Sequence, residues 1–139
     1  MPDSVLYICL GNSCRSIMAE ALTRHFFPDS VKAGSAGINP LGFITPETIE
    51  VLAELGIATE GLWSKGLTDP NLPEFHLLVN LSDYPLPALL RQISPERIIH
   101  YPVIDPFGNT LEVYRKARDT IRRFVTGKLS GYFSQGSRP

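Results

Sequence analysis

Apolar residues in this chain fall into two patterns that alternate from end to end: short unbroken runs, and stripes of helical period. Val5 to Ile8 is an unbroken run, as expected of a strand buried on both faces. From Arg15 to Phe27 the apolar positions Met18, Ala21, Leu22 and Phe26 keep a helical period, and Pro28 stops it. Val31 to Ala36 reads as a second strand, ended by Gly37. Thr45 is placed as an N-cap ahead of Pro46, and Ile49, Leu52, Ala53 and Leu55 line one face of the helix that follows, up to Gly56. Residues 57–73 are broken by glycine and proline and read as irregular. Phe75 to Leu81 predicts a third strand, Leu86 to Ile93 a short helix after Pro85, and Arg97 to Val103 a fourth strand. Asn109-Thr110-Leu111-Glu112 has the spacing of a capping box. Leu111, Tyr114, Ala117, Ile121 and Phe124/Val125 continue a helical stripe to Gly127. From Lys128 on, serine, glycine and a final proline predict a frayed tail.

Four strands separated by helices predict an α/β fold: three layers, α/β/α, with a four-stranded parallel sheet and helices on both faces. Crossovers should be right-handed. One catalytic domain is expected over residues 1–127 and a flexible C-terminal tail over 128–139. Sites in such folds lie beyond the carboxyl ends of the strands. Cys9 ends the first strand and Asp105 follows the fourth, so both belong on one rim of the sheet.

Charge narrows the partners. The formal net charge is −1, so neither nucleic acid nor an anionic membrane is expected to bind. The start has no signal-peptide pattern, no apolar run is long enough to span a bilayer, and both cysteines fall in one short loop. A soluble, cytoplasmic protein is expected, with a monomer favoured. No cofactor and no metal is expected, because His25, His76 and His100 are scattered and no Cys/His pair has ligand spacing. His25 should lie on the surface of the first helix, and His76 and His100 should be partly packed at strand positions.

The chemistry concentrates in Cys9-Leu10-Gly11-Asn12-Ser13-Cys14-Arg15-Ser16, between the first strand and the first helix. Backbone N–H groups in such a loop point inward, and the helix dipole favours negative charge, so the loop can hold a tetrahedral oxyanion. The same field favours the thiolate of Cys9. Arg15 offers a planar fork for two anion oxygens. The Ser16 hydroxyl can bond the thiolate, and Gly11 and Asn12 tolerate positive φ. No Gly-Lys-Ser/Thr is present, so this is not a nucleotide loop. Asp105, in Val103-Ile104-Asp105-Pro106-Phe107-Gly108, is the candidate general acid, flanked by apolar residues. An ordinary turn before proline is the alternative reading of that aspartate.

These motifs, with Met18-Ala19-Glu20-Ala21 and Gly34-Ser35-Ala36-Gly37, resemble the low-molecular-weight protein tyrosine phosphatase family, which includes bacterial arsenate reductases of the same fold. The resemblance runs from about Leu6 to about Val125. It implies Cys9 as nucleophile, Arg15 as phosphate clamp, Ser16 as thiolate stabiliser and Asp105 as general acid. It further implies Leu10 to Cys14 and Ser16 as the phosphate-binding loop, Asn12 and Ser35 as loop supports, Phe107 as a substrate wall, and Cys14 as a redox partner able to form a reversible disulfide with Cys9. Cys14 reads equally well as a small loop filler. The expected substrate is a phosphorylated protein or a small oxyanion, phosphate or arsenate. Ile17 stands where many members have proline, and Leu62 where a polar residue often joins the loop-bracing network.

Phosphotyrosine-type hydrolysis through a phosphocysteine is the leading expectation. Arsenate reduction needs two electrons, which thioredoxin-linked relatives pass through further cysteines. Ser82 occupies the place of the first of these, and residues 83–94 contain no second, so an arsenate route would need an external thiol. Ser13 sits where some relatives with a small hydroxyl residue act on phosphoarginine. A non-catalytic oxyanion-binding module is the third alternative.

Overall fold

The computed structural model describes residues 3–68, 75–90 and 92–136. Strand β1 (Asp3–Cys9) pairs in parallel with β2 (Val31–Gly37) on one side and β3 (Leu77–Asn80) on the other. β3 carries β4 (Ile98–His100), also parallel, giving the order β2-β1-β3-β4. Its central place explains the unbroken apolar run in β1. Val5 and Tyr7 enter one apolar layer, and Leu6 and Ile8 enter the other.

The first layer holds the α-helices. Met18 and Leu22 come from α1 (Arg15–Phe26), Val51 and Leu52 from α2 (Pro46–Ala53), and Tyr114, Ile121 and Phe124 from α3 (Leu111–Gly127). The opposite layer is smaller. Leu6, Ile8, Ala36 and Leu78 are covered there by Leu86, with Leu90 and Ile93 packed against them.

The expected tail is corrected by the fold. Residues Leu129–Gly136 form a further helix, α4, with Leu129 and Phe133 buried. These two lie four apart, on one helical face, and burying each contributes about 1.5–3 kcal/mol. The Tyr132 ring stacks on Phe124 at 6.1 Å.

The helix expected over Leu86–Ile93 is only a 3₁₀ turn, Ala88–Leu90, followed by another at Pro95–Arg97. Pro85, Pro87 and Pro95 leave too few consecutive donors to nucleate an α-helix. β4 is shorter than expected, ending at His100, and Pro102 falls at a position facing the open edge of the sheet. Pairing still continues past it: Tyr101 N–H reaches Asn80 C=O, and Val103 N–H reaches Leu81 C=O, each at 2.9 Å. Thr45 and Thr110 occupy N-cap positions, but neither side chain caps its helix. His25 is exposed as expected. His76 and His100 are exposed rather than partly packed, because each sits where its strand begins or ends. Among the described residues no helix is long and apolar enough to cross a membrane.

Candidate active site

The segment between β1 and α1 wraps into a loop because its carbonyl groups are drawn outward. Cys9 C=O accepts from Ile38 N–H at 3.0 Å, and Leu10 C=O from Asn39 N–H at 2.7 Å. Gly11 C=O accepts from Leu41 N–H at 3.0 Å and from the Ser64 hydroxyl at 3.2 Å. Ser13 C=O accepts from Thr45 N–H at 3.2 Å and the Thr48 hydroxyl at 3.1 Å, and Cys14 C=O from Met18 N–H at 2.9 Å. Among the described residues, the N–H groups of Gly11, Asn12, Ser13 and Cys14 find no acceptor. Carbonyls outward and amides inward is the geometry of an anion nest. Asn12 makes the bend with φ of 48°, a conformation asparagine tolerates better than most residues. Gly37 lets β2 approach the loop: a Cβ there would lie 2.9 Å from both Asn12 N and Leu10 O.

The Cys9 thiol is buried and free, 2.9 Å from the Ser16 hydroxyl. Asn12 Nδ2 donates to Ser16 Oγ at 2.7 Å, and Asn12 Oδ1 accepts Lys65 N–H at 2.8 Å. With Ser16 Oγ accepting from Asn12, its own proton is available to the sulfur. A donor aimed at sulfur stabilises the thiolate.

Arg15 is 4 % exposed, at the start of α1. One terminal nitrogen, Nη1, donates to Leu81 C=O at 3.3 Å and Val103 C=O at 3.0 Å. These are the carbonyls just past β3 and β4, so the sheet rim itself holds the guanidinium. Nη2 lies 3.4 Å from Asp105 Oδ2, and Nε is buried with no partner among the described residues. A buried, unpartnered guanidinium N–H is costly unless an acceptor arrives. The Nε/Nη2 edge is the fork that a tetrahedral oxyanion fills bidentately.

Asp105 sits at the mouth of this cleft with its side chain 44 % exposed. Phe107 N–H donates to its Oδ1 at 3.1 Å, an Asx turn that fixes the carboxylate. The apolar flank expected to enclose it does not: Ile104 is 79 % exposed and faces solvent. The cleft encloses about 210 Å³ between Cys9, Ser13, Arg15, Leu41, Asp105 and Phe107. Leu41 and Phe107 give it apolar walls, each about half exposed. A cysteine thiol, a nest, a cation fork and a carboxylate thus converge on one small volume.

Residues 4–130 match the family model described as low molecular weight phosphotyrosine protein phosphatase. The chain belongs to this family. It is 31 % identical over 122 residues to a Staphylococcus aureus (strain Newman) arsenate reductase, covering 86 % of this chain and 90 % of the relative. It is 28 % identical over 137 residues to a Bacillus subtilis (strain 168) protein-arginine-phosphatase, covering 87 % and 91 %. A solved arsenate reductase in its phosphate-binding state superposes with a TM-score of 0.81 at 26 % identity, covering 94 % of this chain and 98 % of that one.

In this member of the low-molecular-weight phosphatase family, Cys9, Leu10, Gly11, Ser13, Cys14, Arg15, Asp105 and Phe107 line one cleft, Asn12 and Ser16 are buried beside them, and Ser35 does not reach it. The Ser35 hydroxyl donates to Glu20 Oε1 at 2.5 Å and accepts from Lys65 Nζ at 3.1 Å, so it meets the loop only through Lys65. Its strand position turns it to the α1 side, where Glu20 waits. Cys14 also lines the cleft, with its thiol held by neighbours. Its thiol meets Thr45 Oγ1 at 3.4 Å and Tyr114 Oη at 3.7 Å, and burial pushes the Tyr114 phenol up to about 12, against a hydrogen bond from Thr45. Ser82, buried at the rim, donates to Asn80 Oδ1 at 2.7 Å. Leu62 packs against the helical core, and Ser64 and Lys65 supply the bracing contacts to Gly11 and Asn12 instead. Thr48 and Leu41 carry no local sequence signal for the site, and nothing in the sequence ties Ser64 and Lys65 to the loop. They reach it only through the folding of the segments after β2 and α2.

Proposed function

We propose that this chain is a cysteine-dependent phosphatase that hydrolyses phosphorylated protein side chains, phosphotyrosine-type, through a phosphocysteine. The observation that carries the reading is the unpartnered Nε of buried Arg15, beside the nest and the Cys9 thiol. A phosphate group filling that fork presents phosphorus to the sulfur. The Cys9 thiolate attacks in line while Arg15 and the loop N–H groups hold the equatorial oxygens. Asp105 protonates the leaving atom as the bond to phosphorus breaks. The resulting carboxylate then takes a proton from a water that attacks the phosphocysteine, releasing phosphate and restoring the thiolate. Similarity to the protein named protein-arginine-phosphatase, and the small Ser13 on the cleft wall, make phosphoarginine the substrate to compare with phosphotyrosine.

Arsenate reduction is the second reading, favoured by the 31 % identity to a protein named arsenate reductase. Arsenate fits the same nest. This chain has two cysteines, both in the loop, so the two electrons would come from an external small thiol.

One preparation tests both readings: hydrolysis of a chromogenic aryl phosphate and thiol-dependent arsenate reduction, in wild type and Cys9→Ser. The phosphatase reading expects aryl phosphate turnover that Cys9→Ser abolishes. Arsenate reduction without hydrolysis supports the second reading. Phosphate binding without either activity supports a non-catalytic module.

A further inference from the structure

Glu20 is a carboxylate of the interior, 2 % exposed on α1. Burying that charge is costly without compensation. It accepts the Ser35 hydroxyl, pairs with Arg24 one turn on, and lies 3.5 Å from Lys65 Nζ. Arg24 is half exposed and donates to Ala33 C=O on β2. Lys65 differs. Its side chain is 9 % exposed, and its ammonium also donates to Ser35 Oγ at 3.1 Å and Trp63 C=O at 3.0 Å. That grip fixes the backbone of its own segment, where Lys65 C=O accepts Gly37 N–H at 2.8 Å.

The next link sets a direction. A backbone N–H can only donate. Lys65 N–H therefore assigns Oδ1 to one side of the Asn12 amide and turns Nδ2 onto Ser16. Ser16 then has its proton left for Cys9. If the Lys65 backbone moved, the amide could flip and Ser16 would no longer have to donate to sulfur.

We infer that Lys65, anchored by buried Glu20, is a positioning residue that orients Asn12 and Ser16 so that a hydrogen-bond donor faces Cys9. The inference rests on the reading of Cys9 as nucleophile. The charged groups around this line are Glu20 and Arg24 from α1, Lys65 itself, and Arg15 and Asp105 at the cleft.

The test is the pH profile of Cys9 alkylation by iodoacetamide without substrate, with aryl phosphate turnover and a thermal melt on the same samples. Lys65→Met should move the alkylation profile to higher pH, with about tenfold less alkylation near pH 6. Its turnover should fall by about 10²-fold. Lys65→Arg should recover most of both. A folded Lys65→Met with the wild-type alkylation profile overturns the inference. If Lys65→Met does not fold, Lys65→Gln, which removes the charge facing Glu20, is read the same way: a profile moved to higher pH supports the inference and the wild-type profile overturns it. A shifted profile in Lys65→Met, with no turnover in any variant, supports the positioning role and overturns the phosphatase reading.

Discussion

Arg15 Nη2 lies 3.4 Å from Asp105 Oδ2, in the cleft that Cys9 also lines. The loop after β1 delivers one partner and the segment after β4 the other, so parallel strands ending on one rim bring them together. The contact ties up half of the open edge of the guanidinium. An arriving oxyanion must share Arg15 with Asp105 or displace it, which links binding to the position of the acid.

Asp105→Asn should therefore have two effects. Turnover of aryl phosphates with poor leaving groups should fall on the order of 10²–10⁴, and turnover of good leaving groups much less. Inhibition by inorganic phosphate should tighten, because the competing carboxylate charge is gone. Equal losses for all leaving groups remove Asp105 from the acid role, and weaker phosphate inhibition contradicts the competition.

Gly37→Ala probes the packing behind the loop. The added methyl meets two backbone atoms at 2.9 Å, Asn12 N and Leu10 O, and neither can swing aside. The fold should lose about 1–3 kcal/mol in denaturant unfolding, with weakened phosphate binding. Unchanged stability and affinity mean that β2 and the loop are not in close contact.

Phe133→Ala tests whether α4 is part of the fold. A buried phenylalanine cut to alanine typically costs about 3–5 kcal/mol, and a terminal helix that can relax should fall at the low end. A loss within about 0.5 kcal/mol, the range of surface substitutions, means that the tail is frayed after all.

Between the end of α2 and α3, Glu54 is held below the usual carboxylate range, first by the hydrogen bond from Arg115 and then by that from Arg118. A carboxylate whose folded value is lowered stabilises the fold above its unfolded value, here 4.5, and loses that contribution as pH falls through the lower folded value. Glu54→Gln should be less stable than wild type at pH 7, with the gap closing in acid. A gap that stays constant from pH 7 to pH 2 contradicts this sign.

What the sequence made legible was local. Cys9, Asn12, Arg15 and Ser16 lie within one strand–loop–helix unit, so their proximity follows from the local chain. Asp105 was legible through topology, because strand ends share a rim. Thr48, Ser64 and Lys65 were not, because their contacts with the loop depend on how residues 38–66 fold back over it. The resemblance implies Ser35 as a loop support, yet its hydroxyl donates to Glu20 and reaches the loop only by way of Lys65. Serine and glycine hid α4, whose Leu129 and Phe133 find their cover only in the folded core.

The central claim is that the Cys9 sulfur becomes covalently bonded to phosphorus. Rapid alkaline quench of Asp105→Asn with an aryl phosphate, followed by peptide mass spectrometry, tests it most directly. The account predicts a stoichiometric burst of the aryl alcohol and a phosphoryl group on Cys9, both missing in Cys9→Ser. Steady turnover with Cys9 unmodified, or a phosphoryl group found on any other residue, contradicts it.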